Sequence, residues 1–219
     1  EMSASLVGSE MCIRDSMGGL YMNMHKTSPF MIEFIGTPEA GKTTTIHRLK
    51  DLLLTQKYSV NLVRESAEIV PTSFPKGSTE AHFWMRLTTA RSILENQVSN
   101  ESDIILIDRG LIDTLFWDTY YGSIGTMSTS EVSKTNAFFQ SIGIKYPDLV
   151  VYLSTTPEET IRRRGGEGRI VTYSFVKQYN KVLDSFIDSV TCPVFHLDTT
   201  NLSQDEVTMR VLARVFAKL

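Results

Sequence analysis

From Pro29 onward, short apolar runs alternate with longer segments in which apolar residues recur every three or four positions. Short runs rich in Val, Ile and aromatic residues are typical of buried strands, and the longer periodic segments are typical of amphipathic helices. Alternation of the two predicts a parallel sheet covered by helices on both faces. The five predicted strands are Phe30–Ile35, Val60–Arg64, Ile104–Asp108, Leu149–Leu153 and Val194–Leu197.

Two of the periodic segments predict long amphipathic helices. Their apolar positions are Phe83, Leu87, Ala90, Leu94 and Val98 in the first, and Phe175, Tyr179, Val182, Phe186 and Val190 in the second. Two further helices carry start signals. Thr156 precedes a proline and two glutamates, and Ser203 opens a capping box that Glu206 completes.

The first 28 residues are polar and show no helical or strand period. We expect a disordered tail over residues 1–28, of which 1–16 resemble translated adapter sequence rather than part of a fold. Because the composition does not shift after Pro29, one domain is expected over residues 29–219.

Charge and cysteine content narrow the class of partner. The chain has 22 Lys and Arg against 25 Asp and Glu, so it has no broad basic field for nucleic acid or an anionic membrane. Cys12 and Cys192 lie too far apart in sequence to suggest a disulfide scaffold or a zinc site. No apolar run approaches the roughly 18 residues of a spanning helix. We therefore expect a cytoplasmic protein that binds small molecules.

The segment GTPEAGKT matches the pattern GxxxxGK[ST] between an apolar strand and a periodic helix. Such a loop wraps tightly, so that its backbone N–H groups and the helix N-terminus face phosphate oxygens. Lys42 is expected to reach the β- and γ-phosphates, and the Thr43 hydroxyl to bind Mg²⁺. The sequence thus predicts a site for Mg²⁺ and ATP, with GTP as the alternative. Its candidate residues are Gly36, Thr37, Pro38, Glu39, Ala40, Gly41, Lys42, Thr43 and Thr44.

Two further strands end in polar residues, at the edge where open parallel sheets bind ligands. Asp108 is the second candidate ligand for the metal, and the alternative role is to cap a helix predicted over Leu111–Tyr121. Arg109 follows a buried strand end and is expected to pair with an anionic ligand. Glu65 is the candidate proton acceptor for a substrate hydroxyl, with Glu68 as its rival.

Four arginines surround a glycine-rich segment after the predicted helix at Thr156. Glycines allow such a segment to move, and guanidinium groups stabilise charge on a transferring phosphoryl group. We expect an Arg-rich lid, with Arg164 and Arg169 as its catalytic candidates. The alternative is a solvated basic turn.

These motifs together resemble the thymidylate kinase and deoxynucleoside kinase branch of the P-loop small-molecule kinases. The resemblance rests on the loop at 36–44, the pair Asp108-Arg109 and the strand Tyr146–Leu153 with the arginines that follow it. It implies a three-layer α/β P-loop NTPase fold and a nucleoside or nucleotide acceptor contacted by Arg109. It also implies that the loop with Thr199 and Thr200 lies against adenine.

The sequence departs from thymidylate kinases in two places. Ser66-Ala67-Glu68 replaces the Pro-Gly-Gly that follows the second strand in that family, and Gly110 stands where a tyrosine is usual. The loop at 36–44 also resembles ribosylnicotinamide kinases. The expected activity is transfer of the γ-phosphate of ATP to a nucleoside- or nucleotide-type acceptor. A regulatory ATPase or nucleotide switch is the alternative, and a homodimer stays open.

Overall fold

The computed structural model describes residues 28–75, 78–98 and 101–219. The tail predicted over 1–28 lies outside the described residues except for its last position. In chain order the elements are β1 (Phe30–Gly36), α1 (Lys42–Thr55), β2 (Val60–Val63), a 3₁₀ turn (Ser66–Ile69), α2 (Thr79–Val98), β3 (Ile104–Asp108), α3 (Leu111–Ser123), α4 (Thr129–Ser141), β4 (Leu149–Ser154), α5 (Pro157–Arg164), α6 (Tyr173–Ile187), β5 (Val194–Asp198) and α7 (Gln204–Phe216).

The strands of the described residues form one parallel sheet in the order β2-β3-β1-β4-β5. This confirms the predicted α/β class and all five strands. β2 ends one residue before the predicted Arg64, while β1, β4 and β5 each extend one residue further. β1 lies in the centre of the sheet and runs parallel to its neighbour β3. The carboxyl ends of the two strands therefore lie side by side at the same edge of the sheet.

Helices cover both faces of this sheet, as predicted. Ile32 and Phe34 of β1 pack with α1 and α7 on one face. Met31 and Ile35 point to the opposite face, where α2, α3, α4 and α6 pack. The predicted apolar positions of α6 lie in this second layer, around the buried Tyr179. Among the described residues, no helix has both the length and the apolar character needed to cross a bilayer.

The predicted helix starts at Thr156 and Ser203 are confirmed, whereas the predicted apolar face of α2 is confirmed only at Ala90 and Leu94. The Thr156 side chain accepts from the Glu159 amide, and Ser203 forms a complete capping box with Glu206. Phe83, Leu87 and Val98, three of the positions assigned to the buried face of α2, are exposed. Besides Ala90, the helix buries Ala81, Arg86, Thr89 and Ile93. Arg86 on this face forms a buried ion pair with Asp118 of α3, and the spacing of apolar residues gives no sign of such a pair.

Candidate functional site

The loop between β1 and α1 wraps closely around the end of the sheet. Gly36 has a φ of 146°, and a Cβ atom built on it would lie 1.8 Å from the carbonyl oxygen of Leu153. Gly41, with a φ of 88°, precedes the first residue of α1. Glycine is therefore required at position 36, both for its backbone conformation and for lack of space.

The ammonium group of Lys42 is buried beneath this loop. Its Nζ donates to the carbonyl oxygens of Gly36, at 3.0 Å, and Thr37, at 2.7 Å. Burial, followed by the nearby positive charge of Arg109, lowers the pKa of Lys42 to about 7. A cation in this position is costly in the ligand-free protein and is stabilised when an anion such as phosphate lies beside it.

Thr43 and Asp108 meet at the junction of the loop and β3. The Thr43 hydroxyl donates to Asp108 Oδ2 at 2.7 Å, while Asp108 Oδ1 is buried and has no partner among the described residues. Those residues hold no cluster of three or more metal-ligating side chains. Mg²⁺ ordinarily binds one or two protein oxygens together with phosphate and water, so the free carboxylate oxygen and the hydroxyl fit it.

Asp108 does not cap α3, so the capping alternative raised from the sequence is wrong. The N-cap position of α3 is Gly110, which offers no side chain. The carboxylate of Glu33, in the middle of β1, takes that place: it accepts from the amides of Gly110, Ile112 and Asp113 at 2.9, 3.1 and 2.8 Å. Glu33 is not indicated by the sequence, because a single acidic residue inside an apolar strand carries no local signal of its partner.

Glu65, Arg109 and Asp113 form a partly buried charge cluster beside the loop. Arg109 Nε lies 3.1 Å from Glu65 Oε1 without the alignment of a hydrogen bond, and Nη1 lies 3.1 Å from Asp113 Oδ1. Burial raises the pKa of Glu65, although the Arg109 charge opposes the shift. Burial also acts to lower the pKa of Arg109, but Asp113 and the other partners hold it well above its usual value. Glu68, the rival base, is exposed and outside this cluster.

Two residues of helix α6 form three hydrogen bonds near the loop that the sequence did not indicate. The Tyr179 hydroxyl donates to the Gly36 carbonyl at 3.3 Å, and Asn180 Oδ1 accepts from the Thr37 hydroxyl at 2.8 Å. Asn180 Nδ2 also donates to the carbonyl of Thr155 at 2.9 Å. The helical period correctly placed Tyr179 in the core, but gave no information about the target of its hydroxyl.

Two cavities open on either side of the loop. The smaller, of about 260 Å³, joins the loop to the charge cluster and is lined by Pro38, Glu39, Gly41, Lys42, Thr43, Thr44, Glu65 and Arg109. The larger, of about 580 Å³, is bounded by the loop, α5 and the segment after β5, and its lining includes Ala40, Arg162, Arg163, Thr199, Thr200 and Asn201. Residues 39, 41 and 44 line both cavities, so the two are adjacent.

Of the four arginines near the predicted lid, Arg163 makes the most contacts with the larger cavity. It donates to the Thr199 carbonyl at 2.6 Å, to the Thr199 hydroxyl at 3.1 Å and to the Glu39 carbonyl at 3.2 Å. Arg164 pairs with the Glu39 carboxylate at 3.3 Å. Arg169 is exposed and lines neither cavity. The sequence could not distinguish these arginines, because the phase of α5 decides which one faces the loop.

The stability of the protein is expected to depend on pH through Glu33. Burial raises the pKa of this carboxyl from 4.5 to about 7, although the three amides oppose the shift. Its contribution to stability is therefore full below about pH 4.5 and is lost as the pH rises through about 7. The free energy of unfolding of the wild type and of Glu33→Gln is measured with denaturant at each pH. The stability of the wild type relative to Glu33→Gln should fall by about 1–3 kcal/mol between about pH 5 and pH 8.

Asp113 and Cys192 are charged or titratable neighbours of Glu33, and both remain in the Glu33→Gln protein. Burial raises the pKa of Cys192 to about 11, so its thiol does not titrate in this range. A difference in unfolding free energy that stays constant from about pH 5 to pH 8 would contradict the assignment to Glu33.

Comparison with known proteins supports the sequence resemblance. The family model described as AAA domain matches residues 31–204. The chain is 26% identical to the thymidylate kinase of Thermoanaerobacter sp. (strain X514), over 61% of this chain and 70% of that protein. It is 28% identical to the thymidylate kinase of Bacillus velezensis, over 62% of this chain and 68% of that protein.

Solved structures share the fold at low sequence identity. A deoxyadenosine kinase from M. mycoides superposes with a TM-score of 0.68 at 17% identity, covering 86% of this chain and 100% of that one. A thymidylate kinase from Candida albicans gives a TM-score of 0.64 at 17% identity, covering 87% and 92%. The resemblance to the thymidylate and deoxynucleoside kinase branch, and the fold expected from it, are thus confirmed.

Proposed function

This chain belongs to the AAA domain family, and from that premise we propose that residues 29–219 form a kinase that transfers the γ-phosphoryl group of ATP to a nucleoside- or nucleotide-type small acceptor. One observation carries the proposal: the phosphate-loop residues Lys42 and Thr43 line the same cavity as Glu65 and Arg109. A nucleotide switch needs only the phosphate-loop residues Lys42 and Thr43. Glu65 and Arg109 add a proton acceptor and a cation beside the phosphates.

On the donor side, the loop at residues 36–44, with the amides at the start of α1 and the Lys42 ammonium, is assigned to the phosphates. Arg163, Thr199 and Thr200 border the larger cavity and are assigned to the adenosine end of ATP. When bound by Thr43 and Asp108, Mg²⁺ supplies charge neutralisation of the phosphate oxygens. Arg164 contacts Glu39 of the loop and is kept as a phosphate-side candidate, together with Arg169 of the following segment.

On the acceptor side, Glu65 accepts the proton of the attacking hydroxyl when the acceptor is a nucleoside, and Arg109 holds the acceptor. Burial raises the pKa of Glu65, which makes its carboxylate a stronger base than an exposed glutamate. Arg109 lines the same cavity as Glu65, so its guanidinium borders the space for an anionic or hydroxyl-bearing ligand. The two side chains therefore bring acceptor and base together.

The proposal is tested by ADP release with a panel of nucleosides and nucleoside monophosphates at saturating ATP and Mg²⁺. A kinase releases ADP at a rate that depends on the acceptor and saturates with it. Slow ADP release that is the same with and without every acceptor would contradict the proposal and favour a regulatory ATPase or nucleotide switch.

The Asp108→Asn variant is expected to need about tenfold or more Mg²⁺ for half-maximal activity. The change removes the charge of a carboxylate whose Oδ1 has no partner among the described residues, with little change of shape. Activity is measured as a Mg²⁺ titration at fixed ATP, with Asp51→Asn on the exposed side of α1 as control. If the Mg²⁺ titration were identical to that of the wild type, Asp108 would not be a metal ligand, and its role would be limited to the hydrogen bond with Thr43.

A further inference from the structure

Glu33 is a carboxylate in the middle of the central strand and has no exposed surface. Its neighbours on the same face of β1, Met31 and Ile35, pack into the apolar layers beneath α2, α3 and α6. A buried carboxylate loses its hydration, which costs free energy unless the group finds hydrogen-bond partners. Core packing alone thus gives no reason for glutamate here.

The Glu33 carboxylate acts instead as the cap of α3. Its two oxygens accept the amides of Gly110, Ile112 and Asp113, which would otherwise lack partners in the first turn. Gly110 leaves the required space: a Cβ atom built on it would lie 2.8 Å from Glu33 Oε2 and 2.7 Å from Ile107 Cγ2. Glycine at 110 and glutamate at 33 are therefore structurally coupled, which accounts for the absence of a larger residue after Arg109.

The capped turn carries the residues that orient Arg109. Arg109 adopts the left-handed conformation, with a φ of 57°, between the end of β3 and Gly110. Its amide donates to the Phe34 carbonyl at 3.1 Å, beside Glu33 in β1. Its guanidinium is held by Asp113, whose own amide donates to Glu33. A non-glycine residue in this conformation persists only when its surroundings hold it in place.

We propose that Glu33 is a positioning residue, which fixes the backbone on both sides of Arg109 and so keeps the guanidinium aimed into the cavity that it shares with Lys42 and Glu65. The inference rests on the proposed function for the statement that Arg109 holds the acceptor. The Glu33 side chain lines neither this cavity nor the larger one assigned to the adenosine end of ATP. Its loss should therefore affect acceptor binding and leave ATP binding intact.

The test compares Glu33→Gln with Met31→Leu, a volume-conserving change on the same face of β1, in the full chain at about pH 8, where the Glu33 carboxyl is ionised. The side-chain nitrogen that Glu33→Gln introduces is a donor and cannot accept, so at least one amide of the first turn loses its partner. Exchange of the amide hydrogens at residues 110–113 should become about tenfold faster, and the Nε–H resonance of Arg109 should broaden. The acceptor KM should rise about tenfold while the ATP Kd changes less than about twofold.

Gly110→Ala provides a second variant that keeps the carboxylate and pushes against it through the added Cβ. It should show the same selective rise in acceptor KM, so the inference does not depend on Glu33→Gln being well folded. Unchanged amide exchange, or an unchanged Arg109 resonance, in a folded Glu33→Gln protein would overturn the positioning role. So would equal increases in acceptor KM and ATP Kd.

The proposed kinase function and the positioning role of Glu33 can fail separately. If no acceptor is used by the wild type, the proposed function fails, yet amide exchange and the Arg109 resonance still report on the cap. If the wild type is an acceptor-dependent kinase and Glu33→Gln matches Met31→Leu in acceptor KM, only the role of Glu33 is wrong.

Discussion

Replacing Lys42 by alanine is expected to lower the single-turnover rate of phosphoryl transfer by about a hundredfold or more. The Lys42 Nζ is buried under the loop at residues 36–44 and is held by two carbonyl oxygens, so its position is fixed before the phosphates arrive, and their negative charge favours its protonated form. Charge gathered on the β–γ bridge during transfer is then stabilised without rearrangement of the site. Rates are measured with saturating ATP and acceptor, with Lys50→Ala on the same helix as the control.

The loss in the Lys42→Ala protein should not come from unfolding. Burial lowers the pKa of Lys42 to about 7, which means that the folded ligand-free protein disfavours the charged side chain. The free energy of unfolding of Lys42→Ala should therefore fall by much less than the free-energy equivalent of its loss in rate. A folded variant with turnover close to the wild type would remove this lysine from the mechanism.

Glu65→Gln is expected to lower the turnover number by about a hundredfold, with the ATP Kd changed by less than about twofold. The amide preserves the size of the side chain but cannot accept a proton from the acceptor hydroxyl. It also removes one of the two carboxylates that pair with Arg109. Turnover is measured at a saturating concentration of a nucleoside acceptor, so that weaker acceptor binding does not contribute.

Glu68→Gln is the matched control for this second prediction, because the sequence alone left the two glutamates as rivals. Glu68 is exposed and does not line the cavity that Glu65 shares with the phosphate loop. Its variant should keep turnover within about twofold of the wild type. A large loss in Glu68→Gln together with a small one in Glu65→Gln would reverse the assignment.

The parts of the fold that could be predicted from sequence are those with local signals. All five strands were indicated by short apolar runs, and the helix starts at Thr156 and Ser203 by side chains that bond to amides three residues away. The phosphate loop follows from glycine spacing between a strand and a helix. In each of these cases the residues that decide the structure lie within one short window.

The features that sequence reasoning missed depend on partners far apart in the chain. Glu33 caps a helix that begins much later in the chain, at Leu111, as Gly110 has no side chain to do so. Arg163 faces the loop because of its angular position around α5, and a run of three arginines does not show which of them faces that way. The buried face of α2 includes Arg86, which pairs with Asp118 of α3. Such pairings are set by tertiary packing, which a periodic pattern does not record.

The most direct test of the central claim uses ATP that is radiolabelled in its γ-phosphate, in the presence of Mg²⁺ and the acceptor that gives the fastest ADP release. The account predicts that the wild type places the label on the acceptor in proportion to ADP formed, and that Glu65→Gln loses this transfer while still binding ATP. Label recovered only as inorganic phosphate, at a rate independent of every acceptor and unaffected by Glu65→Gln, would contradict it.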